Sequence, residues 1–190
     1  MGSITLARHG EPALSRKILL TAAGYRDWWA RYEMGGLKEG QAPPTGLVEA
    51  ARQAGLIVVS TRRRAIETAK ALTADREFLY DEALIEAPLP PPSFPDWIKL
   101  SPRHWGVIAR TWWWFFDHHE GQETRAQAEL RADAVALELA KRAAAGVDIL
   151  VLAHGFFNTM VGRSLRRLGW RCTLNQGFQY WSARRFEMVR

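Results

Sequence analysis

At 190 residues, with 47% hydrophobic and 24% charged side chains, the chain can bury one sizeable core and lacks the composition of a disordered or fibrous protein. No run of about 20 uncharged apolar residues is present, which excludes a transmembrane helix, and no basic stretch with a following apolar segment suggests a signal peptide. A net charge of +6 and a single cysteine, Cys172, point to a cytoplasmic protein without an internal disulfide, whose basic surface suits phosphate.

The first predicted element is a short apolar strand over Ser3–Arg8, running into Arg8-His9-Gly10-Glu11. Thr21 is placed to cap a helix reaching about Tyr32, and Gly35-Gly36 with Pro43-Pro44-Thr45-Gly46 marks the loop that follows. A helix near Leu47–Ala54 leads through Gly55 into Leu56–Ser60, a near-continuous apolar run of the kind buried on both faces of a parallel sheet. Helix is expected from Arg64 to Thr73, and another strand within Glu77–Leu84.

From Pro88 to about Glu120 the pattern breaks. Five prolines between Pro88 and Pro95 oppose regular structure, and Trp97, Trp105 and Trp112–Trp114 follow. The segment reads as an insertion over the domain body, with three roles open to it: a substrate lid, a docking surface, or a small satellite core. Regularity returns at Thr124 with a long helix, for which Leu130, Ala134, Leu137 and Lys141 mark the spacing. Gly146 ends it, Asp148–Ala153 is the next buried strand, and a helix follows from about Phe156 to Leu168. The tail from Gly177 to Val189 suits one or two antiparallel strands. Strands alternating with helices imply one domain over residues 1–190, a three-layer α/β/α sandwich with a mostly parallel central sheet.

Two strands end alike, in Leu6-Ala7-Arg8-His9-Gly10 and Val151-Leu152-Ala153-His154-Gly155. Ligands in open α/β sheets bind outside the carboxyl ends of the strands, so both imidazoles are candidates for one crevice. Each is followed by glycine, which lets the backbone turn sharply or lets another group approach closely. A third strand end delivers Arg62-Arg63-Arg64 to the same edge. Cations at a helix N-terminus oppose its dipole, so this cluster calls for an anion, and phosphate is the natural one. His118-His119 is a tempting metal pair, but neighbours in a helix point apart, and no metal site is expected.

In order and spacing these residues resemble the histidine phosphatase superfamily, in the branch with the cofactor-dependent phosphoglycerate mutases. The resemblance rests on Arg8-His9-Gly10-Glu11, Leu20-Thr21-x-x-Gly24, Ser60-x-x-x-Arg64-Ala65-x-x-Thr68-Ala69, Glu86, Gly121-x-Glu123 with Arg131, and His154-Gly155. It implies that His9 attacks phosphorus and becomes a phosphohistidine, that Arg8, Arg64 and His154 surround the phosphoryl oxygens, and that Glu86 is the general acid and base. His154 would serve best protonated, and the N-terminus of the helix after Gly155 would add N–H donors. No metal or cofactor is implied. A small phosphorylated substrate is the expected partner and nucleic acid is not, while the oligomeric state is not set by the sequence.

Two departures from the family pattern stand out. Pro12 and Ser15 occupy places where many relatives carry threonine and asparagine, and Ser15 is the remaining candidate there for a phosphate contact. Beyond Glu86 the chain reads Ala87-Pro88-Leu89-Pro90-Pro91-Pro92 in place of a Gly-x-x-Glu-Gly type of segment. The expected activity is metal-independent phosphomonoester hydrolysis; a phosphoglycerate-mutase-like phosphotransferase and a non-catalytic phosphoester-binding module are the alternatives.

Overall fold

The computed structural model describes residues 1–188, so Val189, at the end of the expected tail strand, lies outside the described residues. In chain order the elements are β1 (Ile4–Arg8), α1 (Ala22–Met34), α2 (Thr45–Gln53), β2 (Leu56–Ser60), α3 (Arg63–Leu72), β3 (Leu79–Asp81) and a 3₁₀ turn (Glu82–Leu84). The second half holds α4 (Pro102–Phe116), α5 (Arg125–Ala144), β4 (Ile149–Ala153), α6 (Gly155–Arg167), β5 (Trp170–Asn175) and β6 (Ala183–Met188). The strands form one sheet in the order β3-β2-β4-β1-β6-β5, parallel from β3 to β1 and antiparallel from β1 to β5. This is the mostly parallel α/β/α architecture expected from the alternating pattern.

Period-two alternation with both faces covered builds two cores. On β4, Ile149, Val151 and Ala153 enter the core under α5 and α6, while Leu150 and Leu152 enter the one under α2 and α3. Ile57 and Val59 of β2 join the second core, and Val58 joins the first. A third apolar cluster lies between α1 and α4, built from Tyr25, Trp28, Tyr32, Leu89, Trp105 and Ala109.

Three local expectations need correction. Leu130 and Leu137 of α5 face outward, and the buried stripe consists of Ala128, Ala132, Val135, Ala136, Leu139 and Ala143. Periodicity could not choose between the faces, because the helix lies close against the sheet on small side chains and leaves its larger leucines outside. The Trp-rich segment is not irregular throughout: Ser101 precedes a 15-residue helix with Pro102 in its first turn, where a missing N–H costs nothing. Trp105 and Trp113 of that helix are fully buried, so they serve as core, whereas Trp97 is 80% exposed. Finally, the antiparallel hairpin begins at Trp170, before the predicted tail, because Gly169 at φ 89° turns the chain directly out of α6.

The facing of α5 sets a test by urea unfolding. Leu139→Ala should cost about 2–5 kcal/mol of stability, as for a buried leucine, and Leu130→Ala no more than about 0.5 kcal/mol.

Candidate active site

Sheet register brings the two histidines together. β1 and β4 are parallel neighbours with Arg8 opposite Ala153, so His9 and His154 leave adjacent strands at the same level. The His9 N–H donates to the Ala153 carbonyl at 3.0 Å, which ties the two strand ends, and the rings lie 5.2 Å apart between centroids. Both histidines are buried.

The glycines after them permit close approach. A Cβ on Gly10 would lie 2.4 Å from the Trp181 indole, and one on Gly155 would lie 3.2 Å from the Arg8 side chain. In both cases the approaching group is a side chain of the protein itself. The Gly10 N–H donates to Thr68 Oγ1 at 3.0 Å, so the Thr68 of the Arg64-Ala65-x-x-Thr68-Ala69 motif fastens α3 to the His9 loop.

Hydrogen bonds assign the tautomers. His9 Nδ1 lies 2.7 Å from its acceptor, the Gly10 carbonyl, so Nδ1 carries the proton and Nε2 presents a lone pair. Arg64 Nε donates to that Nε2 at 3.3 Å, and Arg64 Nη2 donates to His154 Nδ1 at 3.1 Å. His154 Nε2 therefore bears the proton and donates to Ser60 Oγ at 3.0 Å. Burial first, then the Arg64 charge, hold both imidazoles well below the usual histidine range. The protonated His154 of the sequence reading is thus not what the protein alone sets up; a phosphoryl dianion beside it is what would raise that pKa.

Of the three clustered arginines, Arg64 reaches the histidines, and it is fully buried. Its five N–H donors are all engaged: two on the imidazoles, two on the Tyr32 and Glu33 carbonyls at the end of α1, and one on the Glu33 carboxylate at 2.7 Å. Glu33 also lies 3.1 Å from Arg62 Nε, while Arg63 is turned outward against Glu67. The anion demanded by this cluster is therefore partly supplied by the chain, through a residue that no sequence motif signalled.

Arg8 donates to the Phe178 carbonyl at 2.5 Å and lies 4.3 Å from the Tyr180 ring centroid, while its Nε is buried without a hydrogen-bond partner among the described residues. Glu86 accepts the N–H groups of Phe156 and Phe157 at 3.2 and 2.8 Å, so it occupies the α6 N-terminus that the sequence reading reserved for phosphate. Its segment is held from behind: Arg131 forks onto Glu123 at 2.7 and 2.6 Å and donates to the Ala83 and Ile85 carbonyls. Ser15, the expected phosphate contact, is not among the residues that line the cavity around His9. That hydroxyl accepts the Lys17 N–H at 3.1 Å, the local turn a short side chain prefers, and the neighbouring Arg16 lines the cavity instead.

Arg8, His9, Arg64 and Glu86 share one cavity of about 240 Å³. Arg16, Arg103 and Arg110 line it too, with Tyr25, Trp28 and Trp29 of α1. Arg103 and Arg110 belong to the Trp-rich segment, and their place in the cavity was legible only as a mixture of cations and aromatics. His118 and His119 fall in the loop after α4 rather than in a helix. Among the described residues, no three His, Cys, Asp or Glu side chains gather in a way that could hold a metal ion.

This geometry belongs with a family match. Residues 4–182 match the model of the histidine phosphatase superfamily (branch 1), and the chain is a member of that superfamily. No curated protein sequence matched it. Among solved structures it is similar to phosphoserine phosphatase of Entamoeba histolytica, at 18% identity, with 88% of this chain and 81% of that chain covered and a TM-score of 0.56. A mycobacterial glucosyl-3-phosphoglycerate phosphatase matches at 22% identity, covering 88% and 83% of the two chains with a TM-score of 0.56. A structure described as mycobacterial hydrolase 1 matches at 19% identity over 99% and 98%, with a TM-score of 0.58. At these identities the likeness is one of fold.

The two depressed histidines make stability depend on pH. Their folded pKa values lie below the unfolded value near 6.5, so the unfolded chain binds more protons as the pH falls. Their contribution should be complete above about pH 7 and decline below it, by up to about 1.4 kcal/mol per pH unit for each imidazole, until the folded pKa values are passed. Urea unfolding between pH 7.5 and 5 should show that loss, and His9→Asn should reduce the slope.

Proposed function

We propose that the chain is a phosphatase that hydrolyses a small phosphomonoester through a phosphohistidine on His9, drawing its positive charge from side chains rather than from a metal ion. The observation that carries this reading is the unprotonated Nε2 of His9, fixed by the Nδ1 contact to Gly10 and facing Arg64 beside the second histidine. In the first step, Nε2 attacks phosphorus, the P–O ester bond breaks, and the leaving oxygen takes a proton from Glu86. In the second, Glu86 removes a proton from water, the water oxygen attacks phosphorus, and the P–N bond breaks to return His9 and inorganic phosphate.

Arg64 Nε and Nη2 now donate to the two imidazoles, and an entering phosphoryl group would take over those N–H groups with little movement of the guanidinium. Arg8, with its unpartnered Nε, would bind another oxygen. His154 would take up a proton as the dianion arrives and donate to a third. Charges held in place before the reaction are the main protein contribution to phosphoryl transfer. Glu86 lines the same cavity from the α6 side, where it can meet the leaving oxygen. The fold relatives that hydrolyse phosphoserine and glucosyl-3-phosphoglycerate support a phosphatase in place of a mutase or a binding module.

Hydrolysis of p-nitrophenyl phosphate with EDTA present tests the reading. His9→Ala should lower kcat by at least about 10³-fold and abolish an acid-labile, base-stable phosphoenzyme. Glu86→Gln should lower kcat by about 10²-fold or more. Activity that persists without His9, or disappears with EDTA, would overturn it.

A further inference from the structure

Two helices present matched faces to the cavity. Arg103, Gly106, Val107 and Arg110 of α4 recur at three- and four-residue spacing, and so do Tyr25, Trp28, Trp29 and Tyr32 of α1. The α4 face contributes the guanidiniums and the α1 face an aromatic wall.

The charges in this cavity do not balance. Arg8, Arg16, Arg64, Arg103 and Arg110 line it, and Glu86 is the only carboxylate lining it among the described residues. Arg64 is paired with Glu33, whereas among the described residues no carboxylate lies within ion-pair distance of Arg16, Arg103 or Arg110. Arg16 donates to the Tyr32 hydroxyl at 2.9 Å and lies 5.1 and 5.5 Å from the Tyr32 and Tyr180 ring centroids. The Arg110 Cζ lies 4.3 Å from the Phe156 ring centroid, and its Nε is buried without a hydrogen-bond partner among the described residues. Burial pushes its pKa down, the Glu86 charge opposes that, and repulsion from Arg8 and Arg16 adds to it. Arg110 is half-buried, and a cation drawn out of water without a partner anion is costly.

A phosphoryl dianion held by Arg8, Arg64 and His154 leaves the α4 guanidiniums unanswered. We infer that Arg16, Arg103 and Arg110 form a second anion subsite, so that the phosphomonoester taken by this site carries a carboxylate or a further phosphate on a compact leaving group. The inference rests on the phosphatase reading and names its substrate class. The cavity volume of about 240 Å³ sets the compactness, and the α1 aromatic wall would pack against the atoms between the two anions.

The test is calorimetric binding of three probes that cannot be hydrolysed: methylphosphonate, 3-phosphonopropionate and propane-1,3-bisphosphonate. The carboxylated or the doubly phosphonylated probe should bind at least about tenfold tighter than methylphosphonate, and whichever does so identifies the second anion. In Arg110→Met that advantage should shrink to about threefold or less, and Arg103→Met, an exposed position at the cavity mouth, gives the same readout if the first variant fails to fold. Equal affinity for all three probes, or an advantage that survives both substitutions, would overturn the subsite. Hydrolysis of p-nitrophenyl phosphate by the same preparations keeps the two readings apart: its absence counts against the phosphatase reading, while the binding ratio still decides the subsite.

Discussion

A guanidinium buried between two imidazoles and the end of a helix holds the candidate site together. Removing the Arg64 charge from water costs several kcal/mol, and the fold offsets this with five hydrogen bonds, one of them to a carboxylate. Two of those acceptors are the last carbonyls of α1, where the helix dipole is negative and a cation is favoured. The same side chain therefore locks α1 against the sheet and orients both histidines. An interaction so fully satisfied leaves each ring one tautomer and one orientation, which is the condition for a nucleophilic nitrogen to be ready before substrate arrives.

The parallel sheet makes that condition reachable. Adjacent parallel strands in register end at the same level, so residues just past β1 and β4 meet without any long connection. Close packing then requires small residues next to the rings. Gly10 lies under the Trp181 indole and Gly155 beside Arg8, positions where any Cβ would displace a side chain that completes the site. Glu86 comes from an irregular segment, and its placement depends on two anchors: the N-terminus of α6 in front and the Arg131–Glu123 fork behind. The motif residues Glu123 and Arg131 thus act on the backbone beside Glu86 rather than on the cavity.

His9, Arg64 and His154 stand on strand ends and helix termini of the α/β body, whereas much of the cavity wall comes from α1 and α4. These two helices share their own apolar cluster, in which Trp28 and Trp105 are buried and their indole N–H groups satisfied by the Ser15 and Leu20 carbonyls. Such a division lets chemistry be held constant while the wall that meets the leaving group changes. Here that wall is rich in arginine and aromatic rings, and Arg16 has taken the cavity position next to a serine that bonds to its own backbone.

The sequence by itself determined the alternation of strand and helix, the two buried runs ending in His9 and His154, and the family pattern through Arg8, Arg64, Glu86 and His154. Those features are local: a strand buried on both faces must be apolar throughout, and a motif keeps its spacing whatever surrounds it. Which face of α5 is buried was not legible, because small and large apolar residues both satisfy a helical period and only the distance to the sheet chooses between them. The helix in the Trp-rich segment was hidden behind the prolines before it. Glu33, Arg16 and Arg110 also depended on tertiary structure, since α1, the loop before it and α4 meet over the sheet edge only once the chain is packed. Charge balance inside a cavity is a sum over residues distant in sequence, and no window along the chain contains it.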